Sequence, residues 1–411
     1  MKPISLYIHI PFCRKKCLYC DFLSAPAETD LQERYFHALL AEIIRTAKKC
    51  GDKEVITVFI GGGTPSLPDA KWIMQVMGVL KNNFKFAEHP EISMEMNPGT
   101  ETLEKLTQYR KAGINRLSIG CQSLQDEELR SLGRIHNAAG FYRCYEDARQ
   151  AGFDNINIDL MSAVPGQTRT SWRNTLRKIL ALSPEHISAY SLIIEEGTPF
   201  YEKYGDVSRG DLYDISLQKQ EANEQQEKLP DEETERLMYA DTLQYMCENG
   251  YHRYEISNYA RNDVHNRNRY ECRHNRVYWE RGDYLGFGIG AASLMDNVRW
   301  SNCRDIKRYT AEMGNPDKIR EGWEKLSIHA QMEEFMFLGL RLTEGIQMSK
   351  FEAYFGVPIA EVYGKRIRKF EQEKLLEQKG DFIRLTAKGT DLSNYVMAEF
   401  LFDSEDRKNL S

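Results

Sequence analysis

The residues best suited to do chemistry come early in the chain. Cys13-Arg-Lys-Lys-Cys17-Leu-Tyr-Cys20 puts three thiols within eight positions. Structural zinc sites close with four protein ligands, often as paired C-x-x-C knuckles, and no second knuckle is present. Thiolates also hold iron–sulfur clusters, normally four to a cubane. Three ligands leave one iron open, where a small molecule can chelate. The other six cysteines, at 50, 121, 144, 247, 272 and 303, are scattered. An odd total of nine and the lack of a secretion signal argue against a disulfide framework. Cys50, Cys144 and Cys247 fall in helical patterns and read as filler, and Cys121 beside Gln122 is given no role.

Further polar residues recur where apolar runs end. Gly61-Gly62-Gly63-Thr64-Pro65 follows one such run, and glycine lets backbone approach a ligand closely or take positive φ. Glu95 ends another, and Gln122 follows Leu117–Cys121. Arg134 lies in Leu132-Gly-Arg-Ile-His136, and Asp159 in Asn157-Ile-Asp-Leu-Met161. Taken singly, each is an ordinary polar strand-end residue. Much later comes His274-Asn275-Arg276-Val277-Tyr278-Trp279. Histidine is a common metal ligand. Neighbouring rings offer flat apolar area, and Arg269, Arg273 and Arg276 offer partners for carboxylates. By residue type alone, a loop histidine among packed aromatics is the commoner arrangement. His9, His136, His265 and Cys272 are also possible iron ligands, but each reads more naturally as structural.

These residues need elements to position them. Leu6–Ile10, Val55–Ile60, Ile92–Met96, Arg116–Ile119, Ile156–Leu160 and Ile187–Leu192 read as strands. Amphipathic stretches alternate with them: Leu31–Lys48, Ala70–Asn82, Thr102–Lys111, Ala138–Gln150 and Trp172–Ala181. Six strands alternating with helices predict an α/β fold with a parallel sheet. Chemistry in such folds sits at the carboxyl ends of the strands. The polar stretch 205–235 breaks the pattern and reads as a solvated insertion. Beyond it, Glu233–Glu248 is predicted as a helix and Tyr251–Ile256 as a strand. Glu333–Leu342, Ser349–Phe355 and Ile359–Gln378 then read as helices, Phe382–Leu385 as a short strand and Leu392–Phe402 as a last helix. The domains expected are 1–230, with the insertion over about 205–230, then 231–320, then 321–411.

The whole chain has 411 residues, 28% charged and 41% hydrophobic, with net charge −6. That balance disfavours wholesale binding to nucleic acid or anionic lipid. No apolar run approaches the ~18 residues of a membrane-spanning helix, and the start of the chain does not read as a signal peptide. A cytoplasmic protein is expected, free to visit a membrane surface.

C-x3-C-x2-C after a first strand resembles the radical S-adenosylmethionine (SAM) superfamily. Tyr7-Ile-His-Ile-Pro11-Phe12 before it and Asp21-Phe22 after it resemble the branch that contains oxygen-independent coproporphyrinogen III oxidase and the heme chaperones. The resemblance implies a partial parallel (β/α)6-type barrel with an α+β extension. It implies a [4Fe–4S] cluster on Cys13, Cys17 and Cys20, with SAM chelating the open iron. Gly62, Gly63, Thr64, Glu95, Gln122, Arg134 and Asp159 fall at the family's SAM-contact positions in the family's order, as do Tyr7, Tyr19 and Ile193.

Two features separate the branches. The oxidases carry a further cysteine just beyond the cluster motif, where this chain has Asp21-Phe22. They also carry a long N-terminal arm, where this chain has a handful of residues before Leu6. His274–Trp279 resembles the H-N-x-x-Y-W signature of the heme chaperones. The expectation is therefore a chaperone that holds heme near His274, Tyr278 and Trp279 and delivers it to recipient hemoproteins, respiratory or heme-storage. Whether it is also an enzyme is left open, with coproporphyrinogen oxidation not expected. The alternative is the anaerobic decarboxylating oxidase. The C-terminal part, with Lys365-Arg366-Ile-Arg368-Lys369 on one helix, resembles a winged helix; a solvated face is preferred to a nucleic-acid surface.

Overall fold

A computed structural model of the chain describes residues 1–208 and 228–402. Most of the expected insertion over 205–230 lies outside the described residues. The first elements are β1 (Lys2–Ile10), α1 (Thr29–Ala47), β2 (Lys53–Gly62), α2 (Ala70–Asn83), β3 (Lys85–Met96) and α3 (Leu103–Ala112). β4 (Arg116–Gln122), α4 (Asp126–Ser131), α5 (Ala138–Gln150), β5 (Ile156–Ser162), α6 (Arg169–Ala181) and β6 (His186–Ser191) follow. The helices start where a side chain can take up a free N–H: Asp69, Thr102, Asn137 and Thr168 each accept from the first turn.

β1 to β6 pair in chain order, all parallel. Side chains alternate across a strand, so each strand has two faces. Ile4, Leu6, Ile8 and Ile10 are buried in the main core, as are Leu117, Ile119, Ile156, Ile158 and Leu160. The intervening positions are polar: Ser5, Tyr7 and His9; Ser118 and Gln122; Asn157 and Asp159. The apolar set holds the helices to one side of the sheet, and the polar set is left to line the other.

Next come α7 (Pro199–Ser208), α8 (Glu232–Glu248), β7 (Tyr251–Arg253), β8 (Asn258–Arg261), α9 (Arg273–Trp279), β9 (Tyr284–Phe287) and β10 (Ala292–Met295). β11 (Val298–Asn302), α10 (Ile306–Ala311), α11 (Pro316–Ile319) and β12 (Arg320–Lys325) complete the sheet region. β1 does not close onto β6. β9 runs parallel beside β1, and β8 joins β6 antiparallel. Among the described residues the result is an open twelve-stranded sheet, β12-β11-β10-β9-β1-β2-β3-β4-β5-β6-β8-β7, not a closed barrel. The strand expected over Tyr251–Ile256 stops at Arg253. The chain reverses there, with the Glu255 carboxylate accepting from the Ser257 N–H at 2.9 Å. β10 and β11 form a hairpin on Asp296-Asn297, both at positive φ (49° and 63°).

The chain ends in α12 (Ile328–Gly339), β13 (Ile346–Gln347), α13 (Met348–Phe355), α14 (Ile359–Gln372), β14 (Leu376–Lys379), β15 (Phe382–Leu385), α15 (Ala387–Asp391) and α16 (Ser393–Ala398). β13-β15-β14 is an antiparallel sheet of its own, in winged-helix order, over a separate core that includes Met336, Phe351, Tyr363 and Phe370. The helix expected over Ile359–Gln378 ends at Gln372, because Lys374 turns at φ 60° into β14.

Candidate cofactor and ligand cavity

The polar face of β1–β6 encloses a cavity of about 580 Å³. The loop after β1 forms its mouth, and α9 lies across its floor. Cys13, Cys17 and Cys20 line it. So do Tyr7, Tyr19, Gly62, Gly63, Thr64 and Glu95, together with Gln122, Arg134, Asp159, Ile193, His274 and Tyr278. Trp279 lies outside this cavity and borders a smaller one with Arg276, and Arg269, Arg273, His9, His136 and His265 do not line the larger cavity either. Phe22 and Ile193 form an apolar rim at the mouth, 66% and 68% exposed.

Backbone bonds hold the cysteine loop in place: Cys13 N–H to Ala25 O at 3.2 Å, Ala25 N–H to Pro11 O at 2.9 Å and Leu18 N–H to Leu132 O at 3.1 Å. All three thiols are free. Burial pushes the Cys13 and Cys20 thiols up. An Arg134 guanidinium nitrogen sits 3.7 Å from Cys17 Sγ and offers a thiolate its positive charge. Among the described residues no three His, Cys, Asp or Glu side chains gather around one ion position. A cubane puts each thiolate on a different iron, so three separated thiols on one loop fit it in donor type and number.

The glycines after β2 make the close approach possible. A Cβ on Gly63 would sit 2.6 Å from the Phe12 carbonyl oxygen, inside the cysteine loop. Gly62 has φ 119°, and its N–H donates to Glu95 Oε2 at 3.0 Å. Burial, reinforced by Asp159, pushes the Glu95 carboxyl up to about 8. Burial also raises Asp159, against hydrogen bonds from Asn157 (2.7 Å) and Ser118 (3.1 Å). Arg134 donates to Asn97 Oδ1 at 2.6 Å and Gly120 O at 2.7 Å, and Asn97 donates to Thr64 Oγ1 at 2.8 Å. The buried Arg134 Nε has no partner among the described residues. Gln122 follows a register shift in β4 and takes φ 66°. A ligand here meets two carboxyls on one wall and a partly unsatisfied guanidinium on another. That set suits a zwitterionic, hydroxyl-bearing molecule such as SAM.

The floor is built by α9. Glu91 on β3 caps it, accepting from the Arg273 and His274 N–H groups at 3.0 Å each. His274 and Tyr278 are four apart and share a helix face, whereas Trp279 turns off that face. His274 is 1% exposed. Its Nδ1 is 2.7 Å from Thr57 Oγ1, its Nε2 3.0 Å from the Tyr278 hydroxyl, and Phe59 stacks on its ring at 5.2 Å. Burial and Arg116 hold it neutral, down to about 3. Trp279 packs outside, with Arg341 4.2 Å over its ring. The three aromatic-motif residues therefore do not form one exposed platform. The arginines named beside them are engaged: Arg269 with Asp263, Arg273 with His89 O, and Arg276 with Glu271 and Glu280. The glycines after Tyr284 serve packing, since a Cβ on Gly286 or Gly288 would meet Ala292 O or the Tyr35 hydroxyl at 2.3 Å. His9 is held by Tyr7 and Leu23 O, and His136 by Cys121 O.

Sequence reasoning passed over Arg116, at the start of β4. It is 2% exposed and lines the cavity floor. The signal was available: strand alternation puts Arg116 on the face of Ser118, Gly120 and Gln122.

Residues 7–179 match the radical SAM superfamily, and residues 326–392 match the HemN C-terminal domain. The chain is 34% identical over 401 residues to heme chaperone HemW of Bacillus subtilis (strain 168), covering 97% of this chain and 99% of that protein. It is 31% identical to heme chaperone HemW of Escherichia coli (strain K12), covering 98% and 99%. In fold it is similar to coproporphyrinogen III oxidase (HemN) from Escherichia coli, with a TM-score of 0.81 and 23% identity over 97% of this chain and 90% of that one. No helix among the described residues is long and apolar enough to cross a membrane.

Proposed function

The chain belongs to the heme chaperone HemW family of radical SAM proteins, and from that premise we propose that it binds heme and delivers it to recipient hemoproteins. One observation carries the reading: the similarity to heme chaperones runs through essentially the full length of both chains. The residues after Cys20 agree with it, because Asp21-Phe22 stands where the oxidases carry a further cysteine. The fold likeness to the oxidase supports the architecture alone.

In this reading Cys13, Cys17 and Cys20 hold a [4Fe–4S] cluster. SAM lies against Gly62, Gly63, Thr64, Glu95, Gln122, Arg134 and Asp159, with Tyr7, Tyr19 and Ile193 around it. Bound together, these two groups supply one-electron radical chemistry. The chain's own residues exclude water, hold Glu95 protonated at neutral pH until a ligand donor arrives, and keep Arg134 turned toward the cysteine loop. Heme borders His274 and Tyr278, with Trp279 behind them. Iron ligation by His274 requires one ring nitrogen to release Thr57 or Tyr278. Recipients are of the respiratory or heme-storage class, reached in the cytoplasm or at a membrane surface.

The test is a hemin titration of the full chain after anaerobic cluster reconstitution, beside an assay with coproporphyrinogen III and SAM. Saturable one-to-one heme binding without protoporphyrinogen formation is expected. Robust protoporphyrinogen formation would overturn the chaperone reading in favour of the oxidase.

A further inference from the structure

We propose that the cavity floor is a carboxylate-binding subsite built on Arg116, and that it receives a propionate of heme; this rests on the heme-binding reading above. Arg116 opens β4 and is buried, yet it lines the cavity. Its Nε has no hydrogen-bond partner among the described residues. Cys272, Glu91, Tyr254 and Asp159 act on it through space and not by hydrogen bond. The two carboxylates already have donors of their own. Glu91 accepts from the backbone of Arg273 and His274, and Asp159 from Asn157 and Ser118. By contrast Arg281, also buried, donates to Glu334 at 3.0 Å and Asn297 at 2.7 Å. A buried guanidinium N–H without an acceptor is costly unless something else supplies one, and a carboxylate meets a guanidinium with two parallel hydrogen bonds.

The position decides which carboxylate. Arg116 and Gln122 are the two ends of β4, about 20 Å apart at ~3.3 Å per residue. The cysteine loop is at the Gln122 end. A methionine carboxylate chelated at the cluster end does not reach Arg116, whereas a porphyrin carries carboxylates on flexible arms at one edge. Beside Arg116 the floor offers neutral His274 and the Tyr278 hydroxyl. Porphyrin and propionate are thus met by one surface.

The experiment titrates the full chain with hemin and with hemin dimethyl ester, whose propionates carry no charge. Wild type should bind hemin about tenfold or more tighter than the ester, the size of a charge-assisted pair in a buried site. Arg116→Gln should bring the two within about twofold, and Arg116→Lys, which keeps charge but loses the fork, should fall between. Binding of SAM, measured by equilibrium dialysis, should stay within about twofold in both variants. Undiminished preference for hemin in Arg116→Gln overturns the proposal, as does a wild type that does not distinguish the two. Loss of SAM binding with the hemin preference intact overturns it in favour of the methionine carboxylate. If Arg116→Gln does not fold, Arg116→Lys is judged alone: a hemin preference equal to wild type overturns the proposal, and a reduced one supports it. Wild type binding neither porphyrin removes the heme reading itself, an outcome distinct from the others.

Discussion

Glu95 should make SAM binding depend on pH in a defined direction. Its carboxyl is buried, faces Asp159 and is pushed up to about 8, so the empty cavity holds it mostly protonated at pH 7. A ligand that brings a cation or donor to it binds the ionised form. Ionised Glu95 rises from about 3% at pH 6.5 to about 75% at pH 8.5, so this contribution to affinity grows about 25-fold. The amino group of the ligand also titrates near pH 8. The quantity to read is therefore the ratio of wild-type affinity to that of Glu95→Gln, by calorimetry on cluster-loaded protein under anaerobic conditions. That ratio should climb with pH, and the wild type should release a proton on binding at pH 7. A second arm uses ligand-free protein. The ordinary carboxyl value is 4.5, and burial raises the folded one to about 8. The cost to folding is therefore absent below 4.5 and grows as pH rises toward 8. At about 1.4 kcal/mol per pH unit, Glu95→Gln should be about 3 kcal/mol more stable than wild type at pH 7, converging near pH 4.5. A flat affinity ratio from pH 6.5 to 8.5, or one that falls, would refute the assignment of Glu95 as an acceptor for the ligand.

Three other substitutions probe the cavity from mouth to floor. Cys17→Ala should abolish the iron–sulfur absorbance after reconstitution while leaving the circular dichroism of the fold in place, because the loop is held by backbone bonds and not by its thiols; normal iron loading would refute its role as ligand. Gly63→Ala should cost about 1–3 kcal/mol in denaturant titrations and lower cluster loading, since its Cβ meets the Phe12 backbone inside the same loop; a neutral effect on both would show that the loop yields. His274→Ala should cost about 2–4 kcal/mol, by removing the Tyr278 hydroxyl's partner, taking one of the two partners of the Thr57 hydroxyl, which keeps Ser5, and vacating the ring under Phe59. Because His274 is held neutral down to about 3, wild type should also lose stability as pH falls below 6.5, by up to about 1.4 kcal/mol per pH unit through this ring; an unchanged acid slope in the variant would exclude it as the cause.

Much of this was legible before any coordinates. Six strands alternating with helices were visible because buried parallel strands are short apolar runs, and their caps and turns are local chemistry. The cysteine loop and the glycine run were visible because each is a cluster within a few residues. β9 to β12 were not visible. They are four to six residues long, and β12 is mostly exposed, so they carry little periodicity of their own. The helix predicted over 359–378 overruns its end because no proline or glycine marks the turn at Lys374.

By itself, then, the sequence determined the alternating α/β architecture, the three thiols and the set of strand-end polar residues, since all of these are local in spacing or period. Tertiary structure alone decided that the sheet stays open and that these residues converge on one cavity, because convergence depends on how strands hundreds of positions apart pair and curve. It also divided the aromatic motif: a helix of 3.6 residues per turn sends His274 and Tyr278 to the cavity floor and Trp279 away from it. And it left Arg116 buried with no hydrogen bond to its Nε among the described residues, which no spacing along the chain announces, because a donor goes unmet only by virtue of everything that fails to reach it.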